Sequence, residues 1–395
     1  MSVRKTSAVT ALLILIAIAL GGTIPAKAQE TDTRALSFGH ATTVYSRILG
    51  EERTILVDVP AGYDLTQTQF PVLYVLDGLA NFHHAAATVD FLSRTGRIPQ
   101  MIVVAIVNSA STRDMTPTHV DDRPASGGGD SFLQFVEEEL IPFVDDRYRT
   151  QPYRVLFGHS LGGMFAVYTL FKRPDAFGGY IAASPYLQYD DDRVVAVAEE
   201  ILAGNPSLKK SLCITLGDEP DYVETLERFV SVLDKSGDTG LRWEYVVMED
   251  EEHMTTPLKS VYQGLEMIFA KWRYPGELAE ASVSQIQAHY RDLSDEMGYE
   301  IVIPEGLLNQ LGYLLLSEER YDDAIVAFKL NIDNYPGSAN VYDSLGEAYE
   351  AMNELALAKV NYEKAYNRGL EIDDRNTMIY KQHLDDLLQK LSDFD

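Results

Sequence analysis

Residues 154–163 read Arg154-Val155-Leu156-Phe157-Gly158-His159-Ser160-Leu161-Gly162-Gly163. A short apolar run ends in a glycine, and a helical pattern follows over Leu161–Lys172. This is a strand, a sharp turn and a helix, with G-x-S-x-G centred on Ser160. The turn must lift the serine hydroxyl clear of the sheet, and the glycines two residues either side avoid clashes with strand and helix. The helix N-terminus behind the serine favours developing negative charge. Ser160 is therefore read as a nucleophile, with the N–H of Leu161 as one donor to an oxyanion.

Working outward, β-rich runs stand at Arg53–Val59, Val72–Leu76, Met101–Val107, Tyr180–Ala183, Leu212–Leu216 and Trp243–Met248. Helical spacing occurs at Ser131–Val144 and Tyr222–Leu233. Several strand runs are short, apolar and bounded by turn residues, as buried parallel strands are. The alternation predicts an α/β fold, a doubly wound, mostly parallel sheet over 29–275. Sheets carrying such an elbow use the chain order nucleophile, acid, histidine. His253 follows the last strand and is read as the base, because the site of an open α/β sheet lies beyond the strands' C-terminal ends. The acid belongs after Leu212–Leu216, within Gly217-Asp218-Glu219-Pro220-Asp221-Tyr222-Val223-Glu224. Asp221, heading the next helix, is the first choice, with Glu219 and Glu224 as alternatives. A second oxyanion donor is expected from the turn after Val72–Leu76, at the N–H of Leu79. His83 and His84 are read as loop histidines.

After Pro275 the pattern turns helical, with Tyr299–Ile303 as a brief strand-like exception. A helical linker is expected over 276–306. Within 307–395, Leu311, Gly312, Ala324 and Phe328 recur 34 positions later as Leu345, Gly346, Ala358 and Tyr362. That period and residue pattern resemble the tetratricopeptide repeat, a pair of helices with a tight small-residue contact, here ending in a capping helix. Such a tail offers a surface for a protein partner or for self-association.

The N-terminus carries Arg4 and Lys5, an apolar run Ala11–Leu20, and Ala26-Lys27-Ala28. This is the pattern of a cleaved signal peptide over 1–28, and it predicts a periplasmic or secreted protein. The run is too short to span a bilayer, which takes about 20 residues. The chain has 395 residues, 33 basic and 60 acidic, for a net charge of −27. That balance excludes nucleic acid as a main partner, since phosphate binding rests on clustered Lys and Arg. The single cysteine excludes an intramolecular disulfide and a cysteine-rich metal site. No metal or organic cofactor is implied.

Further motifs are YVLDG at 74–78, TRDMTP at 112–117, SGGGDSFLQFVEEELIPFVDDRY at 126–148, Ala-Ser-Pro at 183–185, and His253 followed, after Met254, by Thr-Thr-Pro-Leu. Together with the elbow they resemble the putative esterase family that includes ferric-enterobactin esterases and esterase D. The resemblance covers residues 50–275. It implies an α/β-hydrolase fold and hydrolysis of a small-molecule carboxylic ester, with Ser160, His253 and an acid as triad and Leu79 and Leu161 as oxyanion donors. Pro220 departs from the family's spacing, which leaves the acid open. Arg113 and Arg123 could give an anionic substrate a basic patch, or could pair with Asp114, Asp121 and Asp122. The alternatives are an acyltransferase with the same triad and an interaction protein with an incidental hydrolase domain.

Overall fold

The computed structural model describes residues 38–204 and 206–393. The expected signal peptide and its cleavage site lie outside the described residues. No helix among those described is long and apolar enough to cross a membrane.

Eight strands form one sheet: β1 (His40–Ser46), β2 (Glu51–Asp58), β3 (Phe70–Val75), β4 (Ile102–Ile106), β5 (Thr150–His159), β6 (Gly179–Ala183), β7 (Ser211–Leu216) and β8 (Arg242–Val247). Their order is β1-β2-β4-β3-β5-β6-β7-β8. The pairs β1/β2 and β2/β4 are antiparallel and every other pair is parallel. Strands β3, β4, β6 and β7 are buried along their whole length. This is why they read as unbroken apolar runs, whereas edge strand β1 alternates only weakly and has no expected counterpart.

Helices cover both faces. They are α1 (Gly78–Arg94), α2 (Gly129–Phe135, continuing through a π-helical turn at Val136–Leu140 into Ile141–Arg147), α3 (Leu161–Lys172), α4 (Arg193–Ala203), α5 (Pro220–Lys235) and α6 (Thr256–Ile268). The π turn precedes Pro142, which has no N–H to continue the regular ladder. Period-2 alternation divides the core. Val72, Tyr74, Ile102, Val104 and Leu156 face α2, α3, α4 and α5. Leu73, Val75, Val103, Val155 and Phe157 face α1 and α6. His83 and His84 lie inside α1 and not in a loop. His84 hydrogen-bonds Asn81 Oδ1 at 3.0 Å and meets the Phe157 ring edge-on.

Beyond Pro275 come α7 (Val283–Met297), α8 (Glu305–Ser317), α9 (Tyr321–Asn334), α10 (Asn340–Ala351), α11 (Leu355–Ile372) and α12 (Thr377–Ser392). The 34-residue correspondence has one structural meaning in both pairs. A Cβ on Gly312 would stand 2.4 Å from the Phe328 ring, and one on Gly346 would stand 2.6 Å from the Tyr362 ring. Each glycine thus lets α8 meet α9, and α10 meet α11, at close range. The segment Tyr299–Ile303 is irregular and joins no strand. Its Ile301 N–H is satisfied by the Ser294 hydroxyl at 2.9 Å, and Ile301 and Ile303 are buried.

The apolar core runs across the Pro275 boundary. Tyr153 of β5 packs on Phe269 and Tyr299, and the Tyr290 hydroxyl donates to the Trp272 carbonyl. Residues of α1 and α6 share one cluster with Ile286, Leu308 and Ala358.

Candidate active site

Ser160 closes β5 and opens α3 with φ 56° and ψ −115°. Such a backbone costs a non-glycine residue about 1–3 kcal/mol, so the surroundings must enforce it. Its N–H donates to Ala183 O at 2.9 Å, and its carbonyl accepts from Met164 and Tyr186, each at 3.0 Å. A Cβ on Gly158 would lie 2.1 Å from Gly162 O, so only glycine fits. On the helix side the tight position is Gly163, where a Cβ would meet Ala183 O at 2.8 Å. Gly162 has ordinary clearance at 3.4 Å, contrary to the symmetric spacing expected from sequence.

Strand β7 leads into Gly217-Asp218-Glu219. A Cβ on Gly217 would stand 2.5 Å from Glu251 O, and the Asp218 N–H donates to the same carbonyl at 2.7 Å. Gly217 thereby lets the loop after β7 touch the loop that bears His253. Pro220 occupies the first turn of α5, and Glu219 before it lies outside the helical region at φ −133°, ψ 75°. A residue preceding proline is pushed out of the helical region. Glu219 is therefore a loop residue, and it turns inward.

The Glu219 carboxylate is buried and accepts three hydrogen bonds. One comes from the Gly217 N–H at 3.0 Å, one from the Ser184 hydroxyl and one from His253 Nδ1. Ser184 is itself fully buried with φ 39°, and its Oγ also meets Thr256 Oγ1 at 3.2 Å. With Nδ1–H committed to Glu219, His253 keeps Nε2 as its accepting nitrogen. Asp221 and Glu224 are exposed on α5, outside this arrangement. The structure thus brings Glu219, not the first choice Asp221, to His253. Asp221 is the helix's leading acid, but because Pro220 starts the helix it is exposed to solvent.

The His253 ring lies between His159, at 4.4 Å between centroids, and Tyr222, at 5.4 Å. Burial first, and then the neighbouring His253, push the His159 pKa down to about 4, so His159 stays neutral at neutral pH. Burial pushes the Tyr222 phenol up, and its contact with the Ser160 side chain opposes that shift. His159 supports the site from within the elbow, as its place in the sequence suggests. Ser184, Tyr222 and Thr256 also support it, and Ser184 and Thr256 carry a sequence signal, in the Ala-Ser-Pro at 183–185 and the Thr-Thr-Pro-Leu at 255–258.

Leu79 and Leu161 stand in the first turns of α1 and α3, after the adjacent parallel strands β3 and β5. First-turn N–H groups have no intrahelical acceptor. The Leu79 side chain is exposed. Arg113 is fully engaged elsewhere. It grips Glu51 through Nη1 at 3.1 Å and Nη2 at 2.6 Å, and donates from Nε to Asp114 at 2.8 Å. There it joins the buried pair of Arg53 and Asp114, held by bonds of 2.7 and 3.0 Å. Arg123 instead stacks over Tyr186 at 5.2 Å and Tyr189 at 5.6 Å, and Tyr186 packs on Tyr222. Among the described residues Arg123 has no carboxylate partner within 4.0 Å.

Residues 46–231 match a family model described as putative esterase. Ferri-bacillibactin esterase BesA of Bacillus subtilis is 33% identical over 181 residues, which cover 40% of this chain and 60% of that protein. Siderophore triacetylfusarinine C esterase of Aspergillus fumigatus is 28% identical over 275 residues, 57% of this chain and 91% of that protein. An IroE-like serine hydrolase from Shewanella oneidensis is similar in structure, with a TM-score of 0.67 and 26% identity over 74% of this chain and 98% of its own. The chain therefore spans less than two thirds of BesA but nearly all of the other two.

Proposed function

We propose, for a chain that belongs through residues 46–231 to the putative esterase family, that it is an exported serine esterase acting through a Ser160–His253–Glu219 triad. The observation that carries this reading is the bond from His253 Nδ1 to the buried Glu219, on loops that flank the strained elbow of Ser160. Ser160 Oγ attacks the ester carbonyl carbon while His253 Nε2 takes its proton. The tetrahedral oxyanion is met by the N–H groups of Leu161 and Leu79. Collapse expels the alkoxide, which receives the proton from His253. Water then repeats the sequence on the acyl-enzyme, with His253 as base. Glu219 fixes the tautomer and stabilises the imidazolium. The reaction needs no metal or organic cofactor.

A siderophore ester is the substrate class this reading favours, by likeness to the esterases above. Arg123, free of carboxylates within 4.0 Å among the described residues and backed by Tyr186 and Tyr189, suits an acyl group that is both aromatic and anionic. Arg113, committed to Glu51 and Asp114, does not serve that role. The helical tail, whose paired helices repeat with the tetratricopeptide period, is assigned to contact with a partner protein or a second copy. A fluorophosphonate probe is expected to label the protein on Ser160, and a panel of siderophore lactones, feruloyl esters and short p-nitrophenyl esters is expected to include a substrate. Labelling that survives Ser160→Ala overturns the assignment.

A further inference from the structure

The strands' other ends carry a feature that the esterase reading does not use. A cavity of about 420 Å³ opens where β7 and β8 begin, between the sheet and the C-terminal half of α7. Strand β7 separates it from Glu219. At ~3.3 Å per residue, the six residues of β7 put the two sites about 20 Å apart.

Four cations line the cavity: Lys209, Lys210, Arg242 and Lys271. This is a concentration of positive charge in a chain with 60 acidic and 33 basic residues. Their pairing is uneven. Lys271 holds Glu296 at 2.6 Å. Lys210 reaches Asp175 only at 3.9 Å, and that aspartate is fully exposed, so water screens the pair. Neither Arg242 nor Lys209 has a carboxylate within 4.0 Å among the described residues. Arg242 is nonetheless half-buried and fixed in place by neutral acceptors. Its Nη2 donates to Ile268 O at 2.6 Å and to Ser211 Oγ at 3.0 Å. A guanidinium anchored in this way keeps both its orientation and its full charge, with no reorganisation needed on binding. Gly178 shapes the same wall, since a Cβ there would stand 2.5 Å from the Tyr153 ring. From α7, Asp295 faces the cavity without a basic partner within 4.0 Å among the described residues.

We infer that this cavity is a second ligand site, which takes a small anion, a phosphate or a carboxylate, between Arg242 and Lys209. A guanidinium with a neighbouring ammonium is the donor set that suits either head group. Asp295 opposes the anion and limits its affinity. A bound anion links the base of the sheet to α7. The inference is independent of the esterase reading.

Binding of inorganic phosphate to the full-length protein tests it, by calorimetry and by thermal unfolding against potassium chloride of matched ionic strength. Saturable binding and a rise in Tm beyond the chloride control are expected. Lys209→Gln, an exposed position that folding tolerates, should weaken binding at least fivefold. Asp295→Asn should tighten it severalfold, which a purely structural role for these groups would not produce. Arg242→Gln should abolish binding where the variant folds. Hydrolysis of p-nitrophenyl acetate by Lys209→Gln should match the parent. A parallel titration with succinate tells which head group is preferred. Phosphate and succinate behaving as matched chloride, or affinities indifferent to both Lys209→Gln and Asp295→Asn, would overturn the inference.

Discussion

Among the described residues two buried carboxylates pair with a histidine, and only one has an elbow beside it. Glu219 and His253 meet on loops beyond β7 and β8, whereas Asp343 and His383 meet between two regular helices, α10 and α12. In both the acid is buried and the imidazole about one third exposed. At Glu219 the remaining acceptor capacity is filled by Ser184 and the Gly217 N–H, and the histidine's other nitrogen is left for a nucleophile. At Asp343 both carboxylate oxygens lie within 3.1 Å of Nδ1, and a second acid, Glu347, lies 3.6 Å away. No strained serine flanks that pair. A histidine with its acid is therefore not a site by itself. The unusual backbone at Ser160 and Ser184 separates chemistry from packing.

The sharpest break between the pairs is catalytic. Glu219→Gln should lower kcat about 10³–10⁴-fold with the fold intact, as loss of a triad acid does. Asp221→Asn and Glu224→Gln should stay within about twofold, and so should His383→Ala. A mild effect of Glu219→Gln, alongside a severe one at Asp221, would return the acid to the sequence's first choice.

Acid separates the pairs next, through His159, the neighbour of His253. Folding lowers its pKa from 6.5 to about 4, so the unfolded chain binds its proton more tightly. Its contribution to stability is therefore full above pH 6.5 and is lost as pH falls from there towards 4. The shift corresponds to a loss on the order of 3 kcal/mol. Urea unfolding of His159→Phe should show a flatter pH dependence across that window. An unchanged slope would mean that another group carries the acid sensitivity.

The tail pair behaves with the opposite sign. Burial raises the Asp343 pKa to about 6, against the pull of His383. Its contribution is present below the unfolded value of 3.8 and is lost as pH rises through about 6. At pH 7 His383→Ala leaves a buried carboxylate uncompensated and should cost about 1–2 kcal/mol, with little cost at pH 4. Asp343→Asn removes the buried charge and should be nearly neutral at pH 7. Equal losses from the two variants would show that the contact matters only as packing.

The legible parts of this chain were those where backbone chemistry leaves a residue signature. Buried parallel strands read as apolar runs, the elbow as its glycines, and the paired helices as Gly312 and Gly346 facing Phe328 and Tyr362. The acid was misranked although its signal was present. Pro220 at the helix start forces Glu219 to be the last loop residue and carries Asp221 into the exposed first turn. Other features have no local signature. Edge strand β1 is held by pairing more than by burial. Tyr299–Ile303 has strand composition, but its N–H at Ile301 finds a serine hydroxyl. The apolar continuity across Pro275 comes from contacts such as Tyr153 with Tyr299, far apart in the chain. The cations around Arg242 come from three separate segments.

The smallest effect asks how the acid at the site is held. Ser184 sits at φ 39°, a conformation that costs a serine energy and is fixed by its N–H bond to Thr215 O at 2.8 Å. That geometry aims its hydroxyl at Glu219, so Ser184 positions the acid and touches no substrate. Ser184→Ala removes one of three donors to a buried carboxylate, an interaction worth about 1–2 kcal/mol. With that donor gone the carboxylate is less fixed against His253. The expected result is a kcat reduced about tenfold with KM nearly unchanged. Ser184→Thr, which keeps the hydroxyl, should recover most of the rate if the β-branched side chain is accommodated at this backbone. A kcat unchanged in Ser184→Ala would make Ser184 a packing residue and leave Gly217 and His253 as the groups that hold Glu219.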